Sequence, residues 1–415
     1  MQDTAVAVEQ RKQRQGTFSA LRSANFRLYF FGQLVSQSGT WMQNIAQGYL
    51  VFSLTGSEAA LGVVALMAGL PVLLMSPLAG VVVESASRKR LLVGTNVVQM
   101  MLALVLTLLT VSGTVQVWHV IALAFVLGMT TAIDAPSRQT FMVEMVGRDD
   151  LPSALALNSI MNSSTRVLGP MAAGLVLVQF GMVWCFAING LSFLVVIVCL
   201  LVMGVPYALP LPKTRPNQMK QLREGFAYVR SNAPVLRLLM LASIAGFFLL
   251  PILQMLPAIA EVTIHSSREG YALLSAAQGA GSVVAGLVVA WLAARYSRPV
   301  IISRALVLGG VVMAVIGYQS NVLVTVACAA LSGLFMVSVL VNLNTGIQLS
   351  LPNNFRGRVI SLYMLTVFGL SPFGALALGT LAEAIGTPYA LSVYGLCAVA
   401  LTGLVMRRFR SVASA

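Results

Sequence analysis

Charge is what this chain has least of. Only 9% of its 415 residues are Asp, Glu, Lys or Arg, against a hydrophobic fraction of 58%. A soluble domain of that make-up would have too little polar surface to cover itself. Two residues are histidine, and His119 and His265 stand isolated with no partner at ligand spacing, so no metal site is expected. The four cysteines, Cys185, Cys199, Cys328 and Cys397, all fall inside apolar runs. There they are expected as packed thiols, not disulfides or metal ligands. The first 25 residues are polar and basic without an apolar core, so no cleavable leader is expected. No Gly-x-x-x-x-Gly-Lys-Ser/Thr run is present, which argues against ATP drive. No paired carboxylates or Ser/His partners lie within the apolar runs, so neither an enzyme nor a cofactor is expected.

What is present is a set of twelve long apolar runs, approximately 26–51, 59–83, 91–112, 116–141, 151–178, 182–204, 234–258, 270–294, 299–318, 321–345, 357–384 and 388–406. About 20 apolar residues suffice for a helix to cross a hydrocarbon core of roughly 30 Å. The formal net charge of +14 would suggest nucleic acid in a soluble protein, but its placement explains it better. Basic residues cluster before the first run, in alternate connections and after the last. Arg268 alone falls on the other side, and Arg166 falls inside a run. The positive-inside rule then places both termini in the cytoplasm of a cell membrane, the inner membrane of a bacterium, with the lipid bilayer as partner and no nucleic acid.

The expected organisation is a cytoplasmic tail 1–25, a six-helix bundle 26–204, a cytoplasmic linker 205–233, a second six-helix bundle 234–406 and a tail 407–415. Pro206, Pro210, Pro212 and Pro216 stiffen the linker. An amphipathic stretch follows, Gln218 to Arg230, with Leu222, Phe226 and Val229 on one face, expected along the inner membrane surface. The halves echo one another. Ser23-Ala24-Asn25-Phe26-Arg27-Leu28 matches the chain around Ser231 to Leu238, basic turns enter both fifth runs, and Gly169-Pro170 is matched by Gly369-Leu370-Ser371-Pro372. Six is even, so both copies point the same way and a two-fold axis along the membrane normal relates them.

The polar residues inside the runs are the candidate site. Gln33, Gln37, Thr40, Asn44 and Gln47 follow spacings of 4, 3, 4 and 3 and share one helix face beside Trp41. Such a face either bonds to neighbouring helices or lines a wet cavity. Asn158, Asn162 and Arg166 form a second stripe at i, i+4 and i+8. Arg166 is the one basic residue deep in the membrane, and Asp134, on the neighbouring run, is the one deep acid of the first half. The two are expected to offset one another, as a structural ion pair or as a pair sensitive to protonation and substrate, with Arg138 towards the cytoplasmic end as a looser gate. The second half offers Gln254, Gln278 and Asn342. Gly80 to Arg90, with Glu84, Arg88 and Arg90, sets topology, and its carboxylate suits a latch on another helix's N-terminus. Gly169-Pro170 reads as close packing or a hinge, and Arg356 and Arg358 as gate cations.

These segments resemble the major facilitator superfamily. Gly80 to Arg90 is similar to its Gly-x-x-x-Asp-Arg-x-Gly-Arg-Arg/Lys loop, with Glu84 for Asp, Ser85 for the first Arg and Ser87 for the second Gly. The runs Asp134-Ala135-Pro136-Ser137-Arg138-Gln139, Ala156-Leu157-Asn158-Ser159, Arg166-Val167-Leu168-Gly169-Pro170 and Arg356-Gly357-Arg358-Val359 resemble its enterobactin-exporter-like branch. The resemblance covers about 20–408. It implies an all-α membrane protein of 12 transmembrane helices in two pseudo-two-fold bundles, exporting a small organic molecule (siderophore, drug or metabolite) by proton-coupled alternating access, with Glu84 latching the inward side. Gly169-Pro170 is similar to the fifth-helix signature of antiporters. The fourth-helix arginine of drug antiporters has no counterpart in Trp118-His119-Val120-Ile121. A monomer is expected. The competing readings are an importer or facilitator on the same fold and a lipid-handling membrane protein.

Overall fold

The computed structural model describes residues 18–147, 149–204, 218–265 and 267–410, and among them every regular element is helical. Twelve long helices are present: α1 Ala24–Thr55, α2 Glu58–Ser85, α3 Arg88–Val111, α4 Val117–Val146, α5 Leu151–Phe180, α6 Met182–Val202, α8 Ala233–Ile264, α9 Ser267–Ala293, α10 Arg298–Ile316, α11 Val322–Leu349, α12 Asn353–Ile385 and α13 Thr387–Arg410. The shorter α7, Gln218–Ser231, lies between α6 and α8. Ten of the described helices are long and apolar enough to cross a membrane. The two long ones outside that set are α1 and α5, the helices that carry the polar stripes. Residues such as Leu108, Leu175, Leu287 and Leu323 are more than 60% exposed on the outside of the bundle, where lipid suits them and water does not.

Local chemistry sets the boundaries. The Ser23 hydroxyl caps α1 by accepting from the Phe26 amide, Ser57 caps α2 through Ala60, and Asn321 caps α11 through Leu323 and Val324. Gly56 closes α1 in the left-handed region at φ 60°, a conformation that costs glycine little. α8 is interrupted by a π-helical turn, Ala245–Leu249, before Pro251, the kind of local widening that bends a helix.

The packing repeats itself when six spans are added. α2 packs on α4 as α9 packs on α11; α3 on α6 as α10 on α13; α1 on α5 as α8 on α12. Across the seam α2 runs along α12, and α5 along α9, again equivalent pairs. The α2–α12 contact is backbone-close: a Cβ on Gly62 would lie 2.7 Å from the Ala375 carbonyl oxygen.

Two placements differ from the sequence expectation. α4 continues to Val146, so Arg138, expected near its cytoplasmic end, sits two turns inside the helix. α7 docks on protein: Glu224 pairs with Arg358 at 2.9 Å, Tyr228 stacks on Phe355 at 4.4 Å, and Val229 is buried while Phe226 stays exposed. Phe226 and Val229 therefore do not share one membrane-facing side. The proline-rich residues 205–217 lie outside the described set.

Candidate functional site: two adjoining cavities

A cavity of about 340 Å³ occupies the seam between the halves. Trp41, Asn44 and Gln47 enter from α1, Pro170 from α5, Gln254 from α8, Tyr271, Ser275 and Gln278 from α9, and Ser371 and Pro372 from α12. Leu61, Val64, Leu253 and Leu256 supply apolar wall. Among the described residues the side chains of Asn44, Gln47, Gln254 and Gln278 make no hydrogen bond with protein, so their donors and acceptors remain for whatever enters. A mostly apolar chamber with a few convergent polar groups is the general form of an organic-ligand site.

A second cavity, about 300 Å³, lies within the first half, lined by Gln33, Gln37, Thr40 and Gln43 of α1, Asn96 and Gln99 of α3, Thr131, Asp134 and Arg138 of α4, and Asn189 of α6. Here the polar groups are largely spoken for. Arg138 pairs with Asp134 at 2.7 Å and donates to Gln33 Oε1 at 3.0 Å; Thr95 and Asn96 donate to Asp134 Oδ1 at 2.9 and 3.4 Å. Asn189 donates to Gln43 Oε1 at 2.7 Å. Trp41, Asn44 and Ala68 line both cavities.

The α1 stripe thus divides. Gln33 is bonded inside the first half, while Asn44 and Gln47 reach the seam. The expected Arg166–Asp134 pair does not form. Asp134 takes the arginine one turn along its own helix, where i,i+4 spacing brings opposite charges together. Arg166 instead lies half-buried with its guanidinium 6.0 Å from the Trp41 ring centre. Asn158 and Asn162, below it on α5, are half-buried and line neither cavity. Asn342 is also absent from both: it is wholly buried in the second half, donating to the Ser338 carbonyl at 2.9 Å with its own Oδ1 unpartnered.

Gly169 packs directly on Trp41, where any side chain would collide with the Trp41 Cβ, so it fixes the α1–α5 approach beside Pro170. Gly80 and Glu84 lie on α2, but the surroundings of both are outside the described set. Arg88 is buried in an ion pair with Glu144 at 3.0 Å, joining α3 to α4, and Lys89 caps the end of α6 at the Met203 carbonyl, 2.6 Å. Both act within the first half. Arg90 and Arg356 are exposed, and Arg358 holds α7.

At the end opposite the basic connections, two charges bridge the seam. Glu383 of α12 accepts from the Ser57 hydroxyl at 2.7 Å and the Ala59 amide at 3.3 Å, at the N-terminus of α2; Thr387 donates to Glu58 at 2.7 Å. Arg268 of α9 donates to the Leu177 and Val178 carbonyls at 2.7 and 2.8 Å, at the C-terminus of α5. Each charge meets the helix pole of opposite sign. Among the described residues these are the only hydrogen bonds that cross between the halves. The bridging roles of Glu383 and Arg268, and the place of Tyr271 in the cavity, escaped the sequence reading; the isolated position of Arg268 on the basic-poor side was the available signal.

The family described as transmembrane secretion effector matches residues 15–414. The chain belongs to this family, within the major facilitator superfamily. Its members are transporters and not enzymes, and the chain is a multi-pass membrane protein of that fold. Similar members of the family include macrolide efflux protein A of Streptococcus pyogenes, 22% identical over 87% of this chain and 91% of that protein. The staphyloferrin A transporter of Staphylococcus aureus is 21% identical over 91% and 94%, and the enterobactin exporter EntS of Shigella flexneri 28% over 68% and 67%. Among solved structures, the nucleoside transporter NupG superposes with TM-score 0.74 at 11% identity, covering 93% of this chain and 99% of that one. A bacterial homologue of the lysosomal transporter Spinster, inward-facing and unoccupied, gives 0.73 at 12%, covering 94% and 98%.

Proposed function

We propose that this transporter exports a small organic molecule from the cytoplasm by alternating access, drawing on proton entry. The basic connections put the α7 end in the cytoplasm, and the relatives named for macrolide and siderophore transport point to efflux of organic cargo. The observation that carries the reading is the seam cavity with its unpartnered amides, beside which the cross-seam hydrogen bonds among the described residues gather at the far end alone. That arrangement is an inward-open state, and rupture of the Glu383 and Arg268 bridges accompanies the switch outward. Asp134, the buried carboxylate beside a polar chamber, is the group assigned to the proton. A membrane potential supplies about 2.3 kcal/mol per charge per 100 mV, enough to raise a substrate gradient.

The test uses everted membrane vesicles with an acidified lumen and a pH-sensitive dye. A panel of drugs, siderophores and organic acids is added to vesicles with and without the overproduced protein. An exported compound is expected to discharge the pH gradient, and Asp134→Asn to abolish that signal while energy-independent exchange of the compound continues. Protein-dependent uptake into intact cells, with no proton release from any compound, would replace export with import.

A further inference from the structure

The seam carries a charge that the protein does not balance. Arg166 lines neither cavity itself; it stands on α5 one turn from Pro170, a residue of the seam cavity, with its guanidinium 6.0 Å from the ring of Trp41, another, so it lies just behind that wall. No carboxylate among the described residues pairs with it. Asp134 is held by Arg138, Thr95 and Asn96, and Glu144 by Arg88. The other described acids, Glu58, Asp149, Asp150, Glu224, Glu261, Glu269 and Glu383, sit at helix ends, in a connection or on α7. A lone guanidinium at membrane depth is disfavoured strongly, and an aromatic face at 6.0 Å, the outer limit of a cation–π contact, offsets only a small part of that. An incoming negative charge would offset far more. An incoming ammonium would meet a like charge and no carboxylate.

We propose that the cavity selects organic anions: amphipathic molecules whose carboxylate or ionised phenol reaches past Trp41 towards Arg166 while an apolar or aromatic body lies on Trp41 and Tyr271. This assignment rests on the transport reading above. The amides of Asn44, Gln254 and Gln278 offer donors as well as acceptors, so they tolerate many polar decorations and leave the sign of the charge to Arg166. The apolar wall of Leu61, Val64 and Leu256 disfavours a bare inorganic anion, which has no surface to place there.

The full-length protein in liposomes distinguishes the charge classes with three probes that share a dansyl group and end in a carboxylate, a primary ammonium or a neutral amide. Protein-dependent flux of the carboxylate is expected to exceed that of the ammonium about tenfold. Arg166→Lys should keep the preference, Arg166→Gln should reduce it to about twofold or less, and Arg166→Glu should reverse it. Faster flux of the ammonium through the unaltered protein, or a full preference surviving in Arg166→Gln, would overturn anion selectivity and leave transport standing. Because the first comparison needs no variant, a variant that fails to fold does not blunt it. Flux of none of the probes above protein-free liposomes would overturn the transport reading, and this assignment with it.

Discussion

Inside the first half, Asp134, Arg138, Gln33, Thr95 and Asn96 bond to one another beside a polar chamber; on the corresponding helices of the second half, α8, α10 and α11, Leu241, Ile302, Val339 and Leu343 pack into a hydrocarbon core. The helices correspond, since α11 takes the role in the second half that α4 takes in the first. The buried polar residues on that stretch of α11 are Ser338 and Asn342, only partly bonded. The backbone arrangement has thus been kept in duplicate while the chemistry has not. A buried ion pair adds little net stability over well-packed apolar residues. Its confinement to one bundle therefore points to work done there, with the other serving as the firm surface it moves against.

The sharpest way to break this comparison is to unbalance the ion pair. Arg138→Leu leaves Asp134 buried and alone, an expected loss of about 3 kcal/mol, towards the lower end because a quarter of the Arg138 side chain is exposed. Thermal unfolding in detergent should show it, and Asp134→Leu added to the same chain should restore much of the loss. Failure of that restoration would mean the pair is not the unit that matters. Asn189→Leu comes next: it strands Gln43, and a destabilisation of about 1–2 kcal/mol is expected. The matched change in the dry half, Asn342→Leu, removes an oxygen that has no partner and is expected to lie within about 0.5 kcal/mol of neutral, or to stabilise. Equal effects of the two asparagine substitutions would dissolve the contrast between the halves.

The fold was legible because its signals are long-range regularities of the chain. Apolar length, alternation of Arg and Lys, and the repeated Gly-Pro pattern survive any local ambiguity. The site was legible in part. The spacing from Gln33 to Gln47 marks one face, but which of its amides are bonded depends on what α4 and α6 present, and that is a matter of tertiary packing. Asp134 and Arg138 are four residues apart, a spacing that announces an intrahelical pair. Reading Asp134 against Arg166 instead weighed depth in the membrane above local reach. Glu383 and Arg268 could not be read as bridges, since their partners are 326 and 91 residues away and are backbone groups or a hydroxyl. Phe226 and Val229 show a similar limit: an amphipathic pattern says that one face is sheltered, not whether lipid or α12 shelters it.

Trp41 belongs to two rooms. Its side chain lines both the seam chamber and the chamber that houses Asp134, with Gly169 packed against its Cβ, where no side chain fits. A guest that tilts the ring to make space for itself must redraw the volume next door in the same motion. Asn44 and Ala68 stand in the same partition, so the lining of one chamber is also the lining of the other.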